Sequence, residues 1–234
     1  MSLYVLDIET TGLEKSKDDI LLIGLYEPVG GYQHFRSVDE FRKFDVSKHR
    51  YVAHNGAFDF NFLRFHGLDL MHEWAYCTRE LSRFLLPGVV PTEGQKRAYS
   101  LENLFISCLG GHPYKLDRSN MKFYTQPELQ EYNKKDCEIT WALFDFLLGK
   151  IDEQHDLPIV TNWVMPHCKL KALLEYEDIT VMDNGWELDR SLIGPMWWKQ
   201  CLEVFREAGI LSKIHAPTTL TQEANSEPTY SHPF

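Results

Sequence analysis

The sequence predicts an α/β or α+β protein in which helices pack against one sheet. Three observations predict this fold. Short apolar runs typical of strands come first, helical periodicity dominates later, and the longest helical pattern carries one apolar stripe. The chain has 234 residues, 44% of them hydrophobic and 25% charged, which suits one domain with its own core plus a smaller appendage.

Four strands are expected, and the first three should form an antiparallel meander joined by short turns. The first run, which ends at Asp7, is expected at the centre of the sheet. The fourth run ends at Asn55-Gly56, a dipeptide typical of a turn. The predicted strands are residues 3–7, 20–26, 32–35 and 51–54.

Helical spacing follows these strands, and the strongest helix is expected over 127–151. Pro127 suits its first position and Glu128 its first turn. One stripe of this helix recurs at steps of three and four residues: Leu129, Tyr132, Asp136, Thr140, Leu143 and Leu147. Further helices are expected at 38–44, 58–66, from the Ser100 cap onwards, 159–182 and 190–211.

The chain is expected to divide into a domain over 1–155, a small helical extension over 156–215 and a flexible tail over 216–234. The extension is predicted from a change in pattern after residue 156. The tail is rich in Thr, Pro and Ser and lacks periodicity.

Composition and charge exclude several classes of protein. A net charge of −10 argues against a protein that coats nucleic acid by bulk electrostatics. Five cysteines without a Cys-x-x-Cys pair indicate neither a disulfide framework nor a zinc ribbon. No apolar run approaches the ~20 residues of a membrane span, and no signal peptide is seen at the N-terminus, so a cytoplasmic protein is expected.

Four acidic residues stand in unusual positions. Asp7 and Glu9 follow an apolar strand at spacing i and i+2, which places both side chains on one face. Asp59 follows the predicted turn at the start of a helix. Asp136 lies on an apolar helical stripe, where an ionised group is rare unless it is paired or binds a metal, and Tyr132 lies one turn earlier.

Four converging carboxylates would repel one another unless cations lie between them. Mg²⁺ prefers oxygen ligands, and two such ions about 4 Å apart serve phosphoryl displacement. The sequence therefore predicts a site for two divalent ions, Mg²⁺ or Mn²⁺. Asp7 could bridge the two ions, and the Tyr132 phenol could orient an attacking water.

Three segments resemble, in order and spacing, the three motifs of the DEDD 3′–5′ exonucleases. They are DIETTGL at 7–13, HNGAFD at 54–59 and YNKKD at 132–136. A tyrosine four residues before the last aspartate marks the tyrosine subclass. The histidine subclass has His one residue earlier, where this chain has Glu131.

The same subclass occurs in the proofreading domains of family-A (polymerase I type) and family-B DNA polymerases. Connecting segments resemble those of phage-type family-A polymerases, and the resemblance covers residues 3 to about 150. A weaker similarity to the segment that opens the polymerase region covers 174–189. The connecting segments are CTRELSR at 77–83, SLENL at 100–104 and PELQEY at 127–132.

The resemblance implies a ribonuclease-H-like (DnaQ-like) fold, with a mixed sheet flanked by helices. It implies hydrolysis of single-stranded DNA from the 3′ end to 5′-mononucleotides, for proofreading or DNA degradation in phage-type replication. The location would be the cytoplasm, that of the host if the protein is phage-encoded.

The resemblance also implies a role for each site residue. Tyr132 would hold the nucleophilic water. The metal ligands would be Asp7, shared between two ions, with Glu9, Asp59 and Asp136. The substrate contacts would be Thr10 and Asn55 to the 3′-terminal nucleotide, Leu13 beside its base and Phe58 near the terminal bases.

Three alternatives remain open on the sequence. One is an exonuclease of the same fold that acts on RNA. Another is a non-catalytic module that binds a polymerase, although a complete set of four acids argues against it. The third is the exonuclease piece of a split or longer DNA polymerase, with a separate polymerase subunit as its partner.

Overall fold

The computed structural model describes residues 2–114, 123–152, 155–176, 181–182 and 185–186. Two compact units divide the chain between Ala172 and Leu173. The first unit contains one five-stranded sheet. Its strands are Leu3–Thr10 (β1), Ile20–Glu27 (β2), Gly31–Phe35 (β3), Arg50–Ala53 (β4) and Trp74–Cys77 (β5).

The sheet is mixed, with the strand order β3-β2-β1-β4-β5. The β1–β2 and β2–β3 pairs are antiparallel, whereas β1–β4 and β4–β5 are parallel. This confirms the predicted meander and the central position of β1. Val5 and Leu6 of β1 are completely buried, as expected for a strand with neighbours on both sides and a helix against it.

Strand β1 is longer than predicted and carries both of its acids inside the ladder. The predicted strand ends at Asp7, but β2 continues to pair with β1, so that Asp7 lies opposite Gly24 and Thr10 opposite Ile20. The register shifts between Glu9 and Thr10, and such bulges are common beside active sites. Strand β5 was not predicted, because its four residues show no alternation of apolar and polar side chains.

The longest helix covers one face of the sheet and packs against β1 and β2. Its predicted stripe is confirmed, since all six side chains are buried. The Thr125 backbone N–H donates to Glu128 Oε2 at 2.7 Å and fixes the first turn. The α-helices up to residue 148 are Val38–Arg42 (α1), Ala57–Phe65 (α2), Thr78–Leu85 (α3), Leu101–Leu109 (α4) and Gln126–Leu148 (α5).

The chain after residue 155 differs from the predicted helix over 159–182. It forms Asp156–Ile159 (α6), a π-helical turn over Val160–Val164 and Met165–Tyr176 (α7). In the second unit, Val181–Met182 (β6) pairs antiparallel with Gly185–Trp186 (β7). The helix prediction is therefore wrong at 181–182, because hairpin pairing between neighbouring segments is not visible in helical periodicity.

Other predictions for this part of the chain stay predictions. The helix expected at 190–211 and the tail at 216–234 lie outside the described residues, and the domain boundary at 155 is untested. Among the helices of the described ranges, none combines the length and hydrophobicity needed to cross a membrane.

Candidate metal centre

Three carboxylates meet where β1 passes under α5. Glu9 is buried and Asp7 half-buried on one face of β1, and Asp136 of α5 is only 2% exposed. Each residue offers one oxygen, and these oxygens lie within 4.8 Å of one another. The structure thus brings together three of the four predicted metal ligands from segments more than a hundred residues apart.

Asp59, the fourth predicted ligand, lies beside this cluster in the first turn of α2. Its Oδ1 accepts a hydrogen bond from the backbone N–H of Ile8 at 3.1 Å. The parallel pairing of β1 with β4 ends at Val5 and Val52, so β4 does not pair with Ile8. The Asp59 carboxylate takes the place of a strand carbonyl as the acceptor for the Ile8 N–H. Burial raises the pKa of the Asp59 carboxyl well above its usual range, and the charge of Asp7 raises it further.

The chemistry of this cluster fits a hard divalent cation. Its donors are carboxylate oxygens, the ligands that Mg²⁺ and Mn²⁺ prefer. Burial strengthens the electrostatic repulsion among Asp7, Glu9 and Asp136, which destabilises the fold unless a positive charge compensates it. Asp59 belongs to the same electrostatic environment, since burial and then the charge of Asp7 raise the pKa of its carboxyl.

Two tyrosines flank Asp136, and one of them was not predicted. The Tyr114 hydroxyl donates to Asp136 Oδ1, and its backbone N–H donates to Glu102 Oε1 at 2.9 Å. The predicted Tyr132 is 5% exposed, with its ring centroid 6.3 Å from that of Tyr114. Tyr114 lies in an irregular segment without periodicity, so no local signal in the sequence marks it.

Two of the predicted substrate residues lie at or just beyond the carboxyl end of β1. Thr10 is buried, and its hydroxyl donates to the carbonyl oxygen of Gly12 in the following turn. Leu13 is 82% exposed, which leaves its side chain available to a ligand. In sheets with parallel strands, ligands commonly bind beyond the carboxyl ends of those strands.

The other two predicted substrate residues follow the neighbouring parallel strand, β4. Asn55 adopts a left-handed backbone conformation with φ 63°, and its Oδ1 accepts a hydrogen bond from Arg79 Nη1. Phe58 is half-buried, with its ring centroid 4.7 Å from that of Phe62. The four predicted substrate residues therefore lie at or beyond the carboxyl ends of two adjacent parallel strands. Arg79 is an additional polar group at this site that the sequence did not reveal.

Replacing Asn55 with alanine should lower the free energy of unfolding by about 1 kcal/mol, because a left-handed conformation is unfavourable for alanine. Replacing it with glycine should have a smaller effect, since glycine adopts this conformation without strain. Urea denaturation of both variants measures the difference. Equal destabilisation would mean that the Arg79 contact, which both variants lose, determines the role of Asn55 in stability.

Comparison with known proteins identifies relatives of the fold only. No family model matches the chain, and no curated protein matches it. Among solved structures, Brucella melitensis NrnC with bound Mg²⁺ is 17% identical with a TM-score of 0.58, covering 78% of this chain and 90% of that one. NrnC bound to pGG is 16% identical with a TM-score of 0.60, covering 77% and 88%.

A polymerase also matches. The POL domain of Pol1 from M. smegmatis, in complex with a DNA primer-template and dNTP, is 12% identical with a TM-score of 0.54. The match covers 74% of this chain but 28% of the polymerase. Together these likenesses confirm the predicted ribonuclease-H-like fold, a mixed five-stranded sheet flanked by helices.

Proposed function

We propose that this chain is a metal-dependent 3′–5′ exonuclease of the tyrosine-type DEDD class that hydrolyses single-stranded DNA to 5′-mononucleotides. The observation that carries the proposal is the approach of the Asp7, Glu9 and Asp136 carboxylates to within 4.8 Å. The fold adds support, because nucleases are among the structures that share it.

The proposed reaction is hydrolysis of the last phosphodiester bond. A water oxygen attacks phosphorus, the bond to the 3′ oxygen breaks, and the shortened strand keeps a 3′ hydroxyl. Divalent cations bound at such a cluster stabilise the charge that develops on the attacking and leaving oxygens. Asp7, Glu9, Asp59 and Asp136 would hold two of them, with Asp7 shared between both.

The remaining predicted residues would orient the reactants. Tyr132 would hold the water with its hydroxyl, from a helix that packs against β1 and β2. Asn55 and Thr10 would contact the terminal nucleotide, the exposed Leu13 would lie against its base, and Phe58 would lie near the terminal bases. Positioning of this kind contributes strongly to rate because small displacements of reacting atoms cost much activity.

Replacing Tyr132 with phenylalanine should lower kcat roughly 10²-fold, since the water loses its orienting hydroxyl. The Mg²⁺ concentration for half-maximal activity should stay unchanged, because the carboxylates remain in place. Single-turnover digestion at a series of Mg²⁺ concentrations measures both quantities. A variant as fast as the wild type would remove Tyr132 from the proposed mechanism.

The direction of digestion and the preferred sugar are tested with matched DNA and RNA strands. We expect a 3′-labelled DNA strand to release labelled mononucleotide from the first turnover, and a 5′-labelled strand to shorten gradually. Labelled mononucleotide released first from the 5′ end would contradict the proposed direction. Faster digestion of the RNA strand would favour the second candidate, an RNA-directed exonuclease. This candidate is retained because a structurally similar protein, NrnC, binds pGG and the sugar preference of this chain is untested.

A proofreading role with a separate polymerase subunit is the proposed context. It is supported by the polymerase among the structural relatives and by the resemblance of residues 174–189 to the opening of a polymerase region. The corresponding location would be the cytoplasm, that of the host if the chain is phage-encoded. Co-purification of a polymerase with the tagged chain tests this context.

A further inference from the structure

The Asn133 side chain bridges α5 and β1 next to the acidic cluster. It is completely buried. Its Nδ2 donates to Asp7 Oδ2 at 2.7 Å and contacts the Asp7 backbone oxygen at 3.3 Å. On its other side, the Tyr32 hydroxyl donates to Asn133 Oδ1 at 2.8 Å. Three elements, β1, β3 and α5, therefore meet through one amide.

The chemistry of the partners fixes the orientation of this amide. An ionised carboxylate only accepts hydrogen bonds, so the Asn133 NH₂ group must face Asp7. The amide oxygen then faces Tyr32, whose hydroxyl supplies the donor. Because a buried amide without partners costs free energy, the two contacts together favour one position for Asn133.

The Asn133 amide fits against strand β2 because Gly24 has no side chain. Gly24 lies opposite Asp7 in the β1–β2 pairing. A Cβ atom at Gly24 would lie 1.7 Å from Asn133 Oδ1 and 2.8 Å from Asn133 Cγ, distances at which the amide would have to move. A side chain at position 24 would therefore force the Asn133 amide to move, and we expect this movement to weaken its hydrogen bonds with Tyr32 and Asp7.

We infer that Asn133, oriented by Tyr32 and accommodated by Gly24, is a positioning residue that fixes the Asp7 carboxylate for cation binding. The inference rests on the proposed function, in which Asp7 is the shared ligand. A carboxylate has about four lone-pair sites, so a hydrogen bond from Asn133 is compatible with cation binding at Asp7. Partners of this kind hold a ligand in its binding orientation, and their loss typically reduces metal affinity or activity by about 10–100-fold.

Replacing Asn133 with leucine tests the inference, because leucine has a similar volume and no hydrogen-bonding group. The readout is the Mg²⁺ concentration that gives half of the maximal thermal stabilisation, measured without substrate. We expect this concentration to rise about 10–100-fold. Excess Mg²⁺ should restore much of kcat, and the KM for the oligonucleotide should stay close to that of the wild type.

Asn103 provides a matched control. It is also a completely buried helical asparagine, with hydrogen bonds to the carbonyl oxygens of Val90 and Ala98. Asn103→Leu should lower the melting temperature without changing the half-saturating Mg²⁺ concentration. If Asn133→Leu behaves in the same way, Asn133 is structural and the inference is overturned.

Two further variants keep the test decisive if Asn133→Leu does not fold. Both should raise the half-saturating Mg²⁺ concentration, Tyr32→Phe by a smaller factor than Gly24→Ala. In an Asn133→Ala background, Gly24→Ala should have little further effect on Mg²⁺ binding, because the two changes act through the same contact. Additive effects would contradict the inference.

Failure of the proposed function gives a different result. If the wild type itself shows neither Mg²⁺-dependent stabilisation nor nuclease activity, both the proposed function and the role of Asn133 are overturned. If the wild type responds to Mg²⁺ and the Asn133, Tyr32 and Gly24 variants respond at the same concentrations, only the role of Asn133 is overturned.

Discussion

Replacing Asp7 with alanine should reduce nuclease activity by on the order of 10³-fold or more while the protein stays folded. The Asp7 carboxylate forms the acidic cluster together with those of Glu9 and Asp136. Its charge also raises the pKa of Asp59. Its loss removes the ligand proposed to be shared by both cations. Initial rates on a labelled single strand, with circular dichroism on the same preparation, measure activity and folding together.

An exposed acid on the same helix as Asp136 provides the control. Asp145 lies on the exposed side of α5, so Asp145→Ala should leave both activity and the cation response unchanged. The melting temperature of Asp7→Ala should lie within a few degrees of that of the wild type. Removing one of several like charges relieves repulsion and stabilises the protein, whereas losing the hydrogen bond from Asn133 destabilises it, so the two effects partly cancel. A folded Asp7→Ala protein with full activity would refute the assignment of this site.

Saturating Mg²⁺ should raise the melting temperature of the metal-free protein by about 5–10 °C, since a ligand at 100 times its Kd contributes about 2.7 kcal/mol. The rise should be larger at about pH 8 than at about pH 5. The reason is the raised pKa of the Asp59 carboxyl, caused by burial and by Asp7. EDTA should reverse the effect.

The sign of this pH dependence follows from proton binding to the folded state. The pKa of Asp59 is higher in the folded protein than in the unfolded chain, so protonation of Asp59 stabilises the metal-free fold. This stabilisation is complete below the ordinary carboxyl pKa and is lost as the pH rises through the raised pKa. The Asp59→Asn variant should flatten the dependence in the metal-free protein. Melting temperatures measured across pH, with and without Mg²⁺, give this dependence. A Mg²⁺-induced rise that shrinks with increasing pH would contradict competition between the Asp59 proton and the cation.

Much of the sheet and its acids was predictable because the signals are local. The apolar run of β1 predicts a strand, and the spacing of Asp7 and Glu9 places both side chains on the same face of it. The stripe of α5 gave Tyr132 and Asp136 on a buried surface, and the Asn55-Gly56 turn located Asp59 at a helix start. Each of these predictions rests on spacing within a single strand, turn or helix.

The partners that hold the acids could not be predicted in the same way. The hydrogen bond from Asn133 to Asp7 joins residues 126 positions apart, and the one from Tyr114 to Asp136 spans 22. The space at Gly24 exists only once β2 lies beside β1 and under α5. Strand β5 and the β6–β7 hairpin depend likewise on pairing between segments, which overrides weak local preference.

Digestion of a 3′-labelled single DNA strand in Mg²⁺, in Mn²⁺ and in EDTA determines whether this site is that of a metal-dependent nuclease. We expect release of labelled 5′-mononucleotide with either cation and none in EDTA. Adding excess Mg²⁺ to the EDTA reaction should restore release. Undiminished release in EDTA, from a preparation whose Asp7→Ala variant is equally active, would contradict a metal-dependent nuclease at this site.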